Sequence, residues 1–301
     1  MHTIGRLLTA MVTPFDSGNK VDYAQAKRLA EALVASGTDG IVVTGTTGEG
    51  PTLSTEEKLG LYTAVVEAVG GRAAVIAGTT NYNTAESIEL TIEADKLGVD
   101  GFLLTVPYYN NPPQEGLYQH FKEIAQHTPK PCILYNVPTR TVRNMDAATT
   151  VRLSALDNII GIKEASGNLE QIAKIIDGAG DGFRVWSGND SDTLPILAIG
   201  GYGVVSVVSH LAGLQVQEMM RRFVEGDTAE AAALHRRLLP LVNALFVTTS
   251  PMPVKYMLNH IGFNVGKPRL PLVEVDDTIA AHLRSVLAQH TIDLPIAAAA
   301  R

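Results

Sequence analysis

The chain reads as an α/β protein: a (β/α)8 barrel followed by a C-terminal helical extension. Short apolar, β-branched runs recur at intervals of roughly 20–33 residues, with amphipathic stretches between them, which is the pattern of βα units feeding a parallel sheet. There are eight such runs, and eight repeats favour closure into a barrel over an open doubly wound sheet. The dinucleotide fingerprint G-x-G-x-x-G does not follow the first run, which weakens a nicotinamide-binding fold.

In chain order the predicted strands are Leu7–Val12, Gly40–Thr44, Ala73–Ala77, Gly101–Thr105, Cys132–Tyr135, Ile159–Lys163, Arg184–Ser187 and Gly203–Val207. Between them, Tyr23–Ser36 carries apolar residues at helical spacing and stops at Gly37. Thr55–Val69 follows the capping pattern Ser54-Thr-Glu-Glu57 and ends at Gly70-Gly71. Asn83–Leu97 opens on a candidate N-cap and ends at Gly98. From about Leu214 onward only helical patterns remain, among them Ala229–Phe246, Pro253–Gly262 and Asp277–Gln289. Residues 1–213 are therefore expected to form the catalytic barrel and 214–301 a helical extension packed on it. The tail Ala297–Arg301 is too short to interpret and is expected to fray.

Composition limits the function classes. At 301 residues the chain exceeds the roughly 250 of a typical barrel, leaving room for the extension. The hydrophobic fraction of 46% against 18% charged residues predicts a compact soluble enzyme. A net charge of -7 argues against a general nucleic-acid binder and a basic membrane-surface patch. No apolar stretch reaches the length of a membrane span, and Met1-His-Thr-Ile-Gly-Arg6 lacks the form of a signal peptide. The single cysteine, Cys132, lies in an apolar run and reads as a buried structural thiol, so a reducing compartment, the cytoplasm, is expected.

Barrel enzymes carry their chemistry at the C-terminal ends of the strands. There the chain places Gly45-Thr46-Thr47-Gly48-Glu49-Gly50, Val106-Pro107-Tyr108-Tyr109-Asn110, Tyr135-Asn-Val-Pro-Thr-Arg140-Thr141, Lys163-Glu-Ala-Ser-Gly167 and Gly188-Asn-Asp190. Of the ten lysines, Lys27, Lys58, Lys96, Lys122 and Lys174 fall in helical patterns and read as solvated. Lys130 precedes strand five, on the opposite face, and Lys255 opens a C-terminal helix as a structural or rim charge. Lys163 alone ends a very apolar strand on the active-site face. A lysine paired with Glu164 is the competing reading. A free lysine, with a pKa near 10.4, is neutral in only about one molecule in a few thousand at pH 7. Burial that depresses that value creates a carbonyl-attacking amine, and the resulting imine is an electron sink. Proton traffic then needs a neighbour: Tyr135 ends the adjacent strand, with a rim aromatic as the alternative. The Gly45–Gly48 turn exposes amides and hydroxyls suited to a carboxylate, although βα turns often contain Gly and Thr. Arg140 is either a bidentate carboxylate reader or one half of a surface salt bridge. Of the eight histidines only His210 follows a barrel strand closely, and H-E-x-x-H is absent, so no metal centre is expected.

Together these motifs, in this order, resemble the dihydrodipicolinate synthase / N-acetylneuraminate lyase family of Schiff-base enzymes over essentially the whole chain, from Leu8-Thr-Ala-Met-Val-Thr-Pro-Phe15 onward. The resemblance implies a lyase that forms an imine between Lys163 and pyruvate and uses no cofactor. Thr46 and Thr47 hold the pyruvate carboxylate, Tyr135 moves protons, and Gly188 and Val205 complete the substrate-binding set. Tyr135-Asn-Val-Pro-Thr-Arg140-Thr141 matches the synthase branch, in which the arginine reads the carboxylate of L-aspartate 4-semialdehyde; sialic acid lyases usually lack it. That branch belongs to the diaminopimelate route to lysine. A related pyruvate aldolase acting on a sugar acid or hydroxy-oxo acid is the rival, and a catalytically silent barrel is a third reading that intact Lys163, Tyr135 and Thr46 oppose. Pro107-Tyr-Tyr109-Asn110 matches the segment whose second tyrosine enters a neighbouring subunit's site and joins Tyr135 and Thr46 in a proton relay. A homotetramer, a dimer of dimers, follows from that. Lysine-inhibited members carry histidines where Thr55 and Lys58 stand and often asparagine at Tyr82, while Glu86 is kept. Weak or absent inhibition by lysine is the expectation.

Overall fold

The computed structural model describes residues 4–296. Met1–Thr3 and the tail Ala297–Arg301 lie outside the described residues. Eight parallel strands close into a barrel in sequence order: β1 (Leu7–Ala10), β2 (Gly40–Val43), β3 (Ala74–Gly78), β4 (Gly101–Thr105), β5 (Cys132–Asn136), β6 (Ile159–Glu164), β7 (Arg184–Ser187) and β8 (Gly203–Ser206). The ring is sealed by β1 pairing with β8, Leu8 opposite Val205. Helices α1 (Tyr23–Ala35), α2 (Thr55–Val69), α3 (Thr84–Asp95) and α4 (Gln114–Ala125) follow the first four strands. Then come α5 (Pro138–Thr141), α6 (Ala147–Ser154), α7 (Leu169–Gly178) and α8 (Thr193–Ala198). After β8 come α9 (Ser209–Val224), α10 (Thr228–Leu245), α11 (Met252–His260) and α12 (Asp277–Leu287). No helix among the described residues is long and apolar enough to cross a membrane.

The eight strands and the six helices whose bounds the sequence pattern gives lie within two residues of those bounds at each end. Local chemistry accounts for the bounds. The Ser54 hydroxyl accepts from the Glu57 amide while the Glu57 carboxylate accepts from the Ser54 amide, a reciprocal cap of about 1 kcal/mol at the start of α2. Gly70 then ends α2 in the left-handed region at φ 54°. The α9 run is broken at Ala212 (φ −135°, ψ 43°).

Alternation along the strands separates two cores. Leu8, Ala10, Val42, Ile76, Leu103, Ile133, Tyr135, Trp186 and Val205 fill the barrel interior. Outward residues such as Val43, Leu104, Leu134 and Ile162 pack under the helices, each contributing about 1.5–3 kcal/mol when fully buried. One irregularity matters for function. Cys132 pairs with Ile159 but Ile133 pairs with Gly161, so β6 carries one extra residue, Ile160. Ile159 and Ile162 both face the outer core while Ile160 packs on the inner one. This bulge reverses the phase of the strand, as a one-residue slip must. Gly161 then faces inward, where a Cβ would stand 2.7 Å from the Trp186 ring, and Lys163 shares its face.

Candidate active site

Tyr135 and Lys163 are register partners on β5 and β6. Both side chains are 5% exposed, and the Lys163 Nζ stands 4.1 Å from the centroid of the Tyr135 ring. Burial pulls the Lys163 amine down to about 7; the Asp190 carboxylate opposes this and the Arg140 charge reinforces it. Burial pushes the Tyr135 phenol up to about 12, while the Arg140 charge and a hydrogen bond with Thr46 draw it back. The site therefore contains an amine that is about half neutral near pH 7 beside a phenol that keeps its proton.

Glu164 is not the partner of Lys163. It points to the opposite side of β6, where its carboxylate accepts from Asn136 Nδ2 at 3.1 and 3.2 Å, from the Ser166 amide at 2.8 Å and from Gln171 at 3.3 Å. Because Asn136 also pairs in register with Glu164, this satisfied network joins the two strands that carry the reactive pair. Nor does Arg140 form a surface ion pair among the described residues. It lies in α5, donates to the Ser250 carbonyl at 3.4 Å, and lines a cavity of about 510 Å3 together with Thr46, Thr80, Lys58, Glu86, Tyr108 and Val137.

The turn after β2 carries Thr46 and Thr47. It is bracketed by two residues in the left-handed region, Thr44 at φ 58° and Glu49 at φ 55°, a conformation costing about 1–3 kcal/mol at a non-glycine residue. At one end Thr44 Oγ1 is hydrogen-bonded with the fully buried Tyr62 hydroxyl at 2.7 Å and donates to the Gly78 carbonyl at 3.0 Å. At the other, the Glu49 amide donates to the Thr46 carbonyl at 3.1 Å, and Gly50 passes so close that a Cβ would lie 2.2 Å from the Thr44 carbonyl oxygen.

The remaining expected residues divide. Val205 is 1% exposed and faces the barrel interior with Tyr135. Gly188 follows β7, its amide donating to the Glu164 carbonyl at 2.7 Å, which places it at the same rim as Lys163. Tyr109 is not brought to this group: it is 92% exposed, in the left-handed region at φ 75°.

Two further charged groups, Lys255 and Asp190, are buried. Lys255, a structural or rim charge by sequence, is structural: it is fully buried, with Nζ 2.6 Å from Glu49 Oε1. Asp190 is 6% exposed and accepts from the Val207 and Val208 amides at 2.9 and 3.1 Å. Its position two residues after Gly188 at a strand end was the available signal. His210 is buried in structural bonds, its Nε2 accepting from the Val12 amide at 3.2 Å and its Nδ1 donating to the Val207 carbonyl at 2.9 Å. Burial lowers its pKa to about 4.

The profile of the dihydrodipicolinate synthetase family matches residues 3–290. A 4-hydroxy-tetrahydrodipicolinate synthase of Dehalococcoides mccartyi (strain CBDB1) is 57% identical over 296 residues, covering 98% of this chain and 100% of that one. A dihydrodipicolinate synthase structure from Bacillus anthracis is similar at a TM-score of 0.93 and 46% identity, covering 96% of this chain and 99% of the other. A DHDPS structure from Cyanidioschyzon merolae, with lysine bound, is similar at a TM-score of 0.94 and 45% identity, with the same coverage.

Proposed function

Because the chain belongs to the dihydrodipicolinate synthetase family, we propose that it condenses pyruvate with L-aspartate 4-semialdehyde to 4-hydroxy-tetrahydrodipicolinate, through an imine on Lys163. The observation that carries this reading is a buried strand-end amine at a pKa of about 7 against the Tyr135 ring.

Neutral Lys163 attacks the pyruvate ketone, and the carbinolamine loses its hydroxyl as water, with Tyr135 supplying the proton. Thr46 and Thr47 hold the carboxylate with hydroxyl and amide donors. The imine draws electrons from the methyl group; a proton leaves, and the enamine carbon attacks the aldehyde of the second substrate. Arg140, in the cavity lining, reads that substrate's carboxylate. The semialdehyde amine then adds to the imine carbon and expels Lys163, closing the ring. One water is lost overall. Incubation with pyruvate and L-aspartate 4-semialdehyde should consume both to yield this ring product; turnover with sugar-acid substrates alone contradicts the assignment.

Tyr109 acts in trans in this reading, in a dimer of dimers. Two large apolar side chains left open to solvent support it, Tyr109 at 92% and Val142 at 82%, both at positive φ. Their loops are joined by a bond from Arg143 to the Asn111 carbonyl at 3.3 Å. Mixing Tyr109→Ala subunits with Lys163→Met subunits should restore activity that neither has alone; no restoration places Tyr109 outside the partner's site. Residues 1–213 serve as the catalytic barrel and 214–301 as its helical extension, in a cytoplasmic enzyme. Lys58 and Glu86 line one cavity, and the Glu86 charge counters the lowering of the Lys58 pKa by burial. This resident cation supports weak or absent inhibition by lysine, and strong inhibition at modest lysine concentration contradicts it.

A further inference from the structure

The Lys255–Glu49 pair is the most deeply buried ion pair among the described residues, with side chains 1% and 0% exposed, and the chemistry above does not use it. Both Glu49 oxygens are engaged. Oε1 accepts from Lys255 Nζ at 2.6 Å and Oε2 from the Arg269 amide at 2.7 Å. Lys255 also donates to the Lys267 carbonyl at 3.1 Å and sits 4.2 Å from the centroid of the Phe15 ring. Lys255 and Lys267 belong to the C-terminal extension, Glu49 and Phe15 to the barrel. A buried ion pair adds little stability over a well-packed apolar pair, whereas it fixes one geometry.

What it fixes is the turn that carries Thr46 and Thr47. Glu49 is one of the two left-handed brackets of that turn, and its amide is bonded to the Thr46 carbonyl at 3.1 Å. The other bracket, Thr44, is held from within the barrel by Tyr62 and Gly78. The Glu49 bracket depends on residues more than two hundred positions downstream. An oriented carboxylate cradle needs both ends held.

We propose that Lys255 is a positioning residue: with the Arg269 amide it locks Glu49, and through Glu49 it sets Thr46 and Thr47 to receive the pyruvate carboxylate. The C-terminal extension is thereby part of the substrate site. This rests on the imine reading above, and the test separates the two.

The experiment is borohydride trapping over a pyruvate titration, with parent, K255M and E49Q/K255M. K255M strands a buried carboxylate and is expected to lose stability, while the double variant removes both charges, a change that is often neutral. In the folded double variant the half-saturating pyruvate concentration should rise by about tenfold to a hundredfold while the plateau of adduct per folded protein is retained. A merely structural pair would lower the plateau and leave the half-saturation in place. Half-saturation within about twofold of the parent overturns the proposal. So does a double variant that fails to fold, since the pair would then be a requirement of folding. If the parent itself traps no pyruvate, the imine reading fails instead.

Discussion

Lys163 has a pKa of about 7 in the barrel against 10.5 for the same group in water. At about 1.4 kcal/mol per tenfold, that gap amounts to about 5 kcal/mol of stability given up to keep the amine reactive. The sign follows from proton counting. Between pH 7 and 10.5 the unfolded chain binds a proton that the folded one lacks, so stability rises with pH across that window. Below it both states are protonated and the full cost applies; above it neither is, and the cost vanishes. Lys163→Met keeps an unbranched chain in the same space without the charge. It should therefore unfold at higher urea than the parent at pH 6, with an advantage of up to about 5 kcal/mol. At pH 9.5 the advantage should narrow by about 3 kcal/mol, to between 1 and 2. The assay is urea denaturation of both proteins at the two pH values and at equal chain concentration, because subunit association shifts apparent stability. An advantage of the same size at both pH values, or none at pH 6, would refute a depressed Lys163.

Two further substitutions divide the labour of the site. Tyr135→Phe should lower kcat by about 10²–10⁴-fold while the pyruvate adduct on Lys163 still forms; kcat within about tenfold of the parent removes Tyr135 from proton transfer. Arg140→Ala should raise the KM for L-aspartate 4-semialdehyde by about 30–150-fold, the equivalent of about 2–3 kcal/mol for a charge-assisted hydrogen bond, with little change for pyruvate. Because the Arg140 charge lowers both Lys163 and Tyr135, the same variant should shift the pH–rate profile upward, and an unmoved profile contradicts that coupling.

The barrel was legible in the sequence because its signal is local: β-branched runs such as Gly101–Thr105 and caps such as Ser54–Glu57 lie within one turn or one strand. The site was legible in outline because strand ends in a barrel point to one rim, which singled out Lys163, Tyr135 and the Thr46–Thr47 turn. What escaped the sequence is non-local. Nothing in the run Asn158-Ile-Ile-Gly-Ile-Lys163 says that Ile160 bulges, yet that extra residue turns Lys163 into the barrel and Glu164 out of it. Lys255 opens a helix and reads as a structural or rim charge alike until the fold brings Glu49 to it across 206 residues. Asp190 is an ordinary rim carboxylate by sequence, and only the fold buries it where its charge acts on the Lys163 amine.

In the proposed mechanism Lys163 carries pyruvate as an imine. Borohydride reduction in the presence of pyruvate, followed by peptide mass analysis, tests it most directly. A single reduced pyruvate adduct is predicted, on the peptide containing Lys163 and absent from Lys163→Met. No adduct, or one placed on another lysine such as Lys58 or Lys255, would contradict it.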